Sequence, residues 1–358
     1  MAKSAKYLLI GSTQAYSGKS AIALGMTRQL QDKGLVIGYG KPVGTCFNEG
    51  VTGEADVRFV ADTLNLSGNL LLPTLLSLDE TTIQKRLRGA DRTNYCQSLA
   101  QSVQDSVADL VLLEGPGTLE EGSIFDLSVP QLAEVVKTKV LLVVRPTPFF
   151  VDALLSAKRY LGDRLLATVI NDVPAEQVEV VAATVRPFLE AEGIPVVGLL
   201  PRSALLRSVS VNELVRRLDA EVLCRPDRLD LMVESLSIGA MNVSSALKYF
   251  RKARNMAVVT GGDRTDIQLA ALESSTQCLI LTGHLPPSPL VISRAEEVEI
   301  PVVSVDLDTL TTVEIIDSTF GKVRLHEPIK VDCMAQLMAE HFDVDRLLEL
   351  LSAATEGS

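Results

Sequence analysis

Residues 6–26, KYLLIGSTQAYSGKSAIALGM, constrain the fold more than any other stretch of the chain. An apolar run at 7–10 gives way to a loop of glycine, serine and threonine. The loop ends in Gly18-Lys19-Ser20 and passes straight into a helix of small apolar residues. Strand, loop and helix in that order aim the loop's backbone N–H groups and the positive end of the helix dipole at one spot, a site suited to a polyphosphate. The backbone of Thr13, Gln14, Ala15, Tyr16, Ser17, Gly18, Lys19, Ser20 and Ala21 would line that site. Lys19 would neutralise the outer phosphates and the Ser20 hydroxyl would ligate Mg²⁺. The pattern G-x-x-x-x-G-K-[ST] is met only in part, because Thr13 stands at the place of its first glycine and the nearest glycine is Gly11.

The rest of the chain agrees with a parallel sheet around that loop. At 358 residues the length suits two domains. The hydrophobic 47% is dominated by Val, Leu and Ile runs, as in parallel sheets covered by helices on both faces. Aromatic residues are 4% with no Trp, and the net charge is −11, which argues against nucleic acid and against an anionic membrane surface. Five cysteines (Cys46, Cys96, Cys224, Cys278, Cys333) are scattered without a CxxC pair and read as reduced thiols. The three histidines, His284, His326 and His341, all lie in the last fifth of the chain, so histidine-centred catalysis is not expected in the first half. Neither a signal peptide nor a membrane span is legible, and the expectation is a cytoplasmic protein.

Apolar strands are expected at 35–41, 110–113, 139–144, 165–170 and 195–200, alternating with helices at 20–33, 55–64, 94–108, 149–161 and 175–192. Alternation of this kind gives a doubly wound parallel sheet, whose ligands lie beyond the carboxyl ends of the strands. Lys19, Lys41, Glu114 and Asn171 each follow one of those strands. Lys41 adds a second cation. Asp56 and Glu114 are hard oxygen donors that can share Mg²⁺ with Ser20. Asp56 can equally be a helix cap, whereas a carboxylate at the end of a buried strand needs a partner. Asn171 carries donor and acceptor in one amide, which suits an adenine edge. Residues 202–228 read as a join. A second, smaller α/β unit follows, with strands expected near 229–235, 256–260, 278–281 and 300–305, and helices close the chain after residue 330. At its centre, Asp263-Arg264 sits at a strand-to-helix junction, either cradling an anion or engaged in a cap and an internal ion pair.

The order GSTQAYSGKS, KPVGT, EADV, LLEGPG, INDVP resembles dethiobiotin synthetase and ATP-dependent amidases such as cobyrinic acid a,c-diamide synthase. It is more similar still to the N-terminal, non-catalytic region of long bacterial phosphate acetyltransferases. The resemblance implies a P-loop NTPase domain over 1–205, a DRTGG-like α/β domain over 212–325 and C-terminal helices over 326–358. It implies Lys19 and Ser20 on phosphate and Mg²⁺, Lys41 by the transferred phosphoryl group, Asp56 and Glu114 on Mg²⁺, and Asn171 facing adenine. Two departures stand out. The synthetase loop is one residue shorter, and acidic Glu120 and Glu121 follow Glu114 where the synthetase approaches an anionic substrate. In the second domain Asp266 replaces a glycine of the DRTGG motif. Acetyl transfer is not carried over, because the resemblance stops short of the acetyl-transfer domain.

Two functions follow as expectations. One is a regulatory module that binds ATP and Mg²⁺ and acts on its own homo-oligomer or on a partner enzyme of acetyl or phosphate metabolism. The other is an ATP-dependent ligase or amidase that activates a carboxylate through Lys19 and Lys41.

Overall fold

Near-continuous apolar runs such as Lys139–Val144, buried at five of six positions, form strands covered on both faces. The computed structural model describes residues 6–45, 53–66, 68–103, 106–283, 285–321 and 327–356; the side chains of 45, 53–56, 355 and 356 lie outside the described set. The chain divides into two units, Met1–Arg202 with Leu325–Ser358, and Ser203–Arg324. Among the described residues no helix is long and apolar enough to cross a membrane.

The first unit is built on seven parallel strands: β1 (Lys6–Gly11), β2 (Ile37–Gly40), β3 (Leu71–Leu72), β4 (Leu110–Glu114), β5 (Lys139–Val144), β6 (Leu165–Val173) and β7 (Val196–Pro201). They lie in the order β3-β2-β4-β1-β5-β6-β7. β1 is therefore flanked by β4 and β5, with Ile10 paired to Glu114 on one side and to Leu141 on the other. The helix α1 (Lys19–Asp32) follows β1 directly and buries Ile22, Ala23, Leu24, Met26 and Leu30. The strand-to-helix alternation expected from the sequence is found. The two-residue edge strand β3 and a small parallel pair, Val43–Thr45 with Leu76–Leu78, were not legible, because such short pieces carry no periodicity.

Helices α4 (Pro328–His341) and α5 (Val344–Glu356) close this same unit. The helices α2 (Val243–Phe250) and α3 (Thr265–Leu272), which precede them in the chain, belong to the second unit. Met334 and Met338 of α4 are buried against α1, and the Arg346 guanidinium donates to Glu190 Oε1 at 2.8 Å and to the Val196 carbonyl at 3.1 Å. That contact holds the Glu190 carboxyl below its usual range.

The second unit carries β8 (Glu221–Cys224), β9 (Ser235–Ile238), β10 (Met256–Gly261), β11 (Thr276–Thr282) and β12 (Val302–Val305) in the order β8-β12-β11-β10-β9. Four strands are parallel and β8 adds an antiparallel edge. Of residues 202–228, which read as a join, those from 203 on belong to this unit and supply β8 and the helix Val211–Leu218.

At Gly25 of α1 the side chains of α4 leave no room: a Cβ there would stand 2.6 Å from Met338 Cγ. Gly25→Val is expected to destabilise the first unit by about 1–3 kcal/mol through overpacking, read as a lower urea midpoint; an unchanged midpoint would show that α4 yields freely.

Candidate functional site

The carboxyl ends of β2, β4, β1, β5 and β6 lie side by side, which sets Lys41, Glu114, the loop 12–18, Arg145 and Asn171 in a row. The loop is held in a tight, partly left-handed path. Gly18 at the N-cap of α1 has φ +93°, and a Cβ there would meet Asn171 Nδ2 at 2.4 Å. Only glycine fits that place. Tyr16, at φ 57°, is held by Arg145, whose guanidinium donates to its carbonyl at 3.3 Å. Gln14 Nε2 donates to the Arg145 carbonyl at 3.2 Å and Asn171 Nδ2 to the Ser17 carbonyl at 2.9 Å. Thr13, Gln14 and Ala21 are half-buried, while Ala15 and Tyr16 are exposed.

Lys19 and Glu114 organise the floor. Lys19 Nζ donates to Ser12 Oγ at 2.9 Å, and that hydroxyl lies 2.8 Å from the Gly117 carbonyl. Ser20 Oγ donates to Glu114 Oε1 at 2.9 Å, Lys41 Nζ lies 3.2 Å from the same oxygen, and the Tyr39 hydroxyl donates to Oε2 at 2.8 Å. The Lys41–Glu114 pair is buried, with side-chain exposures of 9% and 3%. Burial pushes the Lys19 ammonium down to about 8; the Glu114 charge opposes this, the Lys41 charge adds to it and the Glu121 charge opposes it.

Ser20, Lys19, Lys41, Glu114 and Asn171 are thus brought to one edge. Asp56 falls in the helix Gly53–Thr63, but its side chain lies outside the described residues. Among the described residues no three His, Cys, Asp or Glu side chains gather as a ready metal cluster. The Ser17 hydroxyl is buried and has no hydrogen-bond partner among the described residues. A buried polar atom left so at the start of a helix fits a loop whose partner is an anion.

Tyr39, Arg145 and Asp172 were not singled out by the sequence reading. Asp172, at φ 57°, pairs with both Arg145 and Arg202, the latter at 3.0 Å. The available signal was the placement of Arg145 and Asp172 just beyond strands, as for the residues that were chosen. Tyr39 had a weaker one, lying two residues before Lys41 on the same strand run.

In the second unit Arg264 is engaged internally. It donates to the Met241 carbonyl at 2.8 Å and lies 3.7 Å from Asp266. Asp263 is exposed, and the N-cap position of α3 is taken by Arg264 without a side-chain cap bond. The buried Gln268 amide donates to the carbonyls of Gly261 and Gly262 at 2.8 and 3.0 Å.

A family model described as AAA domain matches residues 6–210, and one described as DRTGG domain matches residues 213–319. Phosphate acetyltransferase of Nitratidesulfovibrio vulgaris is 24% identical over 364 residues, covering 95% of this chain and 51% of the relative. The enzymes of that name from Synechocystis sp. and Pseudomonas putida are 25% and 24% identical, covering 81% and 93% of this chain and 43% and 50% of the relatives. The chain spans about half the length of the curated relatives it matches, in their N-terminal region. Among solved structures, the CBS and DRTGG domains of the regulatory region of Clostridium perfringens pyrophosphatase, complexed with the activator diadenosine tetraphosphate, are 20% identical with a TM-score of 0.30; the match covers 49% of this chain and 87% of that one. The MinD cell division protein of Aquifex aeolicus is 17% identical with a TM-score of 0.35, over 56% of this chain and 84% of that one.

Gly18→Ala places a Cβ against the Asn171 amide in a left-handed backbone. It is expected to cost about 1–3 kcal/mol and to lower the melting temperature, whereas an unchanged melt would mean that the loop has other paths open to it.

Proposed function

The chain belongs to the AAA domain family, and on that premise we propose that its first unit binds ATP with Mg²⁺ as a regulatory module. Its target would be its own homo-oligomer or a partner enzyme of acetyl or phosphate metabolism, in the cytoplasm. The observation that supports this most is the convergence of Lys19, Ser20, Lys41 and Glu114 on the end of β1, beside a loop that keeps the Ser17 hydroxyl buried and unpartnered.

Each residue has a part in that reading. The backbone of residues 13–21 and the Lys19 ammonium take the phosphates. Ser20 and Glu114, with Asp56, hold Mg²⁺, which supplies positive charge against the outer phosphates. Asn171 donates one amide proton to the Ser17 carbonyl and keeps Oδ1 to accept from the adenine amine. A DRTGG domain follows directly after the AAA domain match, and the homology to phosphate acetyltransferases supports the choice of metabolism for the partner.

A second reading, an ATP-dependent carboxylate ligase, rests on Lys41 reaching the same Glu114 oxygen that takes the Ser20 hydroxyl next to Lys19, so that the two cations together would stabilise phosphoryl transfer. The charge of Glu121 beside Lys19 counts against an anionic acceptor there.

Calorimetric titration of ATP with Mg²⁺, with phosphate release followed in the same samples, separates the readings. Wild type is expected to bind with little release, and Lys19→Ala to bind about 10–100-fold more weakly through loss of a charged donor. Steady release would favour the ligase, and no binding by wild type would overturn both. The pH dependence has a fixed sign. Lys19 is charged below about 8, so affinity is full there, and it falls by up to about tenfold per pH unit above it, since the bound phosphates need the proton in place. A flat profile between pH 7 and 9.5 would show that the Lys19 ammonium is not held down to about 8, and would leave its part at the phosphates to the Lys19→Ala titration.

A further inference from the structure

Glu114 is fixed from both of its oxygens, and the second hold comes from a residue that the nucleotide reading leaves unused. The Tyr39 ring is fully buried in β2, and its hydroxyl donates to Glu114 Oε2 at 2.8 Å. The register explains the reach: Tyr39 is paired with Leu112 of β4, and Glu114 lies two residues further along on the same face. The other oxygen, Oε1, serves Ser20 at 2.9 Å and Lys41 at 3.2 Å.

We propose that Tyr39 is a positioning residue for the cation site: by pinning Oε2 it keeps Oε1 of Glu114 on the Ser20 hydroxyl and on Lys41. This rests on the ATP·Mg²⁺ reading above. The terminal torsion of a glutamate is broad and two-fold, so a carboxylate held at one oxygen swings. A serine hydroxyl has one proton and two lone pairs. When the proton is committed to Oε1, both lone pairs of the Ser20 hydroxyl stay available to the cation that Ser20 and Glu114 would share. Without the Tyr39 hydroxyl, Glu114 turns and the Ser20 hydroxyl loses its direction. Partners one layer behind a metal ligand change metal affinity by about 10–100-fold.

Tyr39→Phe keeps the ring in the core and removes only the hydroxyl. With ATP fixed and Mg²⁺ titrated by calorimetry, the Mg²⁺ concentration for half-maximal binding is expected to rise about tenfold, while ATP binding in EDTA changes less than about twofold. Tyr39→Leu fits the core worse and melts lower. It is expected to give the same Mg²⁺ shift, because the shift follows the hydroxyl and not the packing. In a Glu114→Gln background the Tyr39→Phe change is expected to add less than about twofold, since both act through one carboxylate. An unchanged Mg²⁺ requirement in Tyr39→Phe, or a full additive shift on top of Glu114→Gln, overturns the role of Tyr39 and leaves the nucleotide reading intact. A wild type whose ATP binding does not respond to Mg²⁺ overturns both.

Discussion

A carboxylate at the end of a buried strand needs donors to reach it, because an unpaired buried charge costs several kcal/mol. Glu114 ends β4 in the middle of the sheet and is met by Tyr39, Lys41 and Ser20 from two other segments. That demand orders the site. It draws Lys41 inward from the surface position usual for lysine, it gives the first hydroxyl of α1 a direction, and its charge partly offsets the burial of Lys19. A site assembled in this way has cations at fixed places before any ligand arrives, which is the preorganisation that anion recognition requires.

The loop above this floor is held by a second layer of contacts. Tyr16 and Gly18 both take left-handed backbone, and side chains from the next strands along, Arg145 and Asn171, hold the carbonyls of Tyr16 and Ser17. Arg145 is set in turn by Asp172, itself left-handed, and Asp172 also takes Arg202, the last residue of the first unit before the chain enters the second. Two non-glycine positions in left-handed backbone around one loop, Tyr16 and Asp172, are sustained because their neighbours over-determine them.

The second unit uses its own polar junction differently. Arg264 supports the Met241 carbonyl, and Gln268 ties down the turn at Gly261-Gly262, so the stretch that carries the DRTGG resemblance keeps its loops in register from within. Of the two alternatives open at the sequence level for Asp263-Arg264, internal engagement describes Arg264, while Asp263 is not the cap. The helices after residue 326, read as a separate block, pack on α1 and along β7 through Met334, Met338 and Arg346.

Much of this was legible in residue order alone. Apolar runs of four to six residues, broken by Gly, Pro and Asn and alternating with helical periodicity, are local signals, and they specified a parallel α/β fold with the loop 12–18 at the head of α1. Placing Lys19, Lys41, Glu114 and Asn171 on one edge needed only the rule that parallel strands share a carboxyl end. The tertiary structure alone decided who touches whom along that edge. Tyr39 reaches Glu114 because β2 lies beside β4, 75 residues on, and Arg145 reaches Tyr16 because β5 lies beside β1. Strand order and register are set by the packing of whole faces against helices, a cooperative choice that no short window of sequence carries.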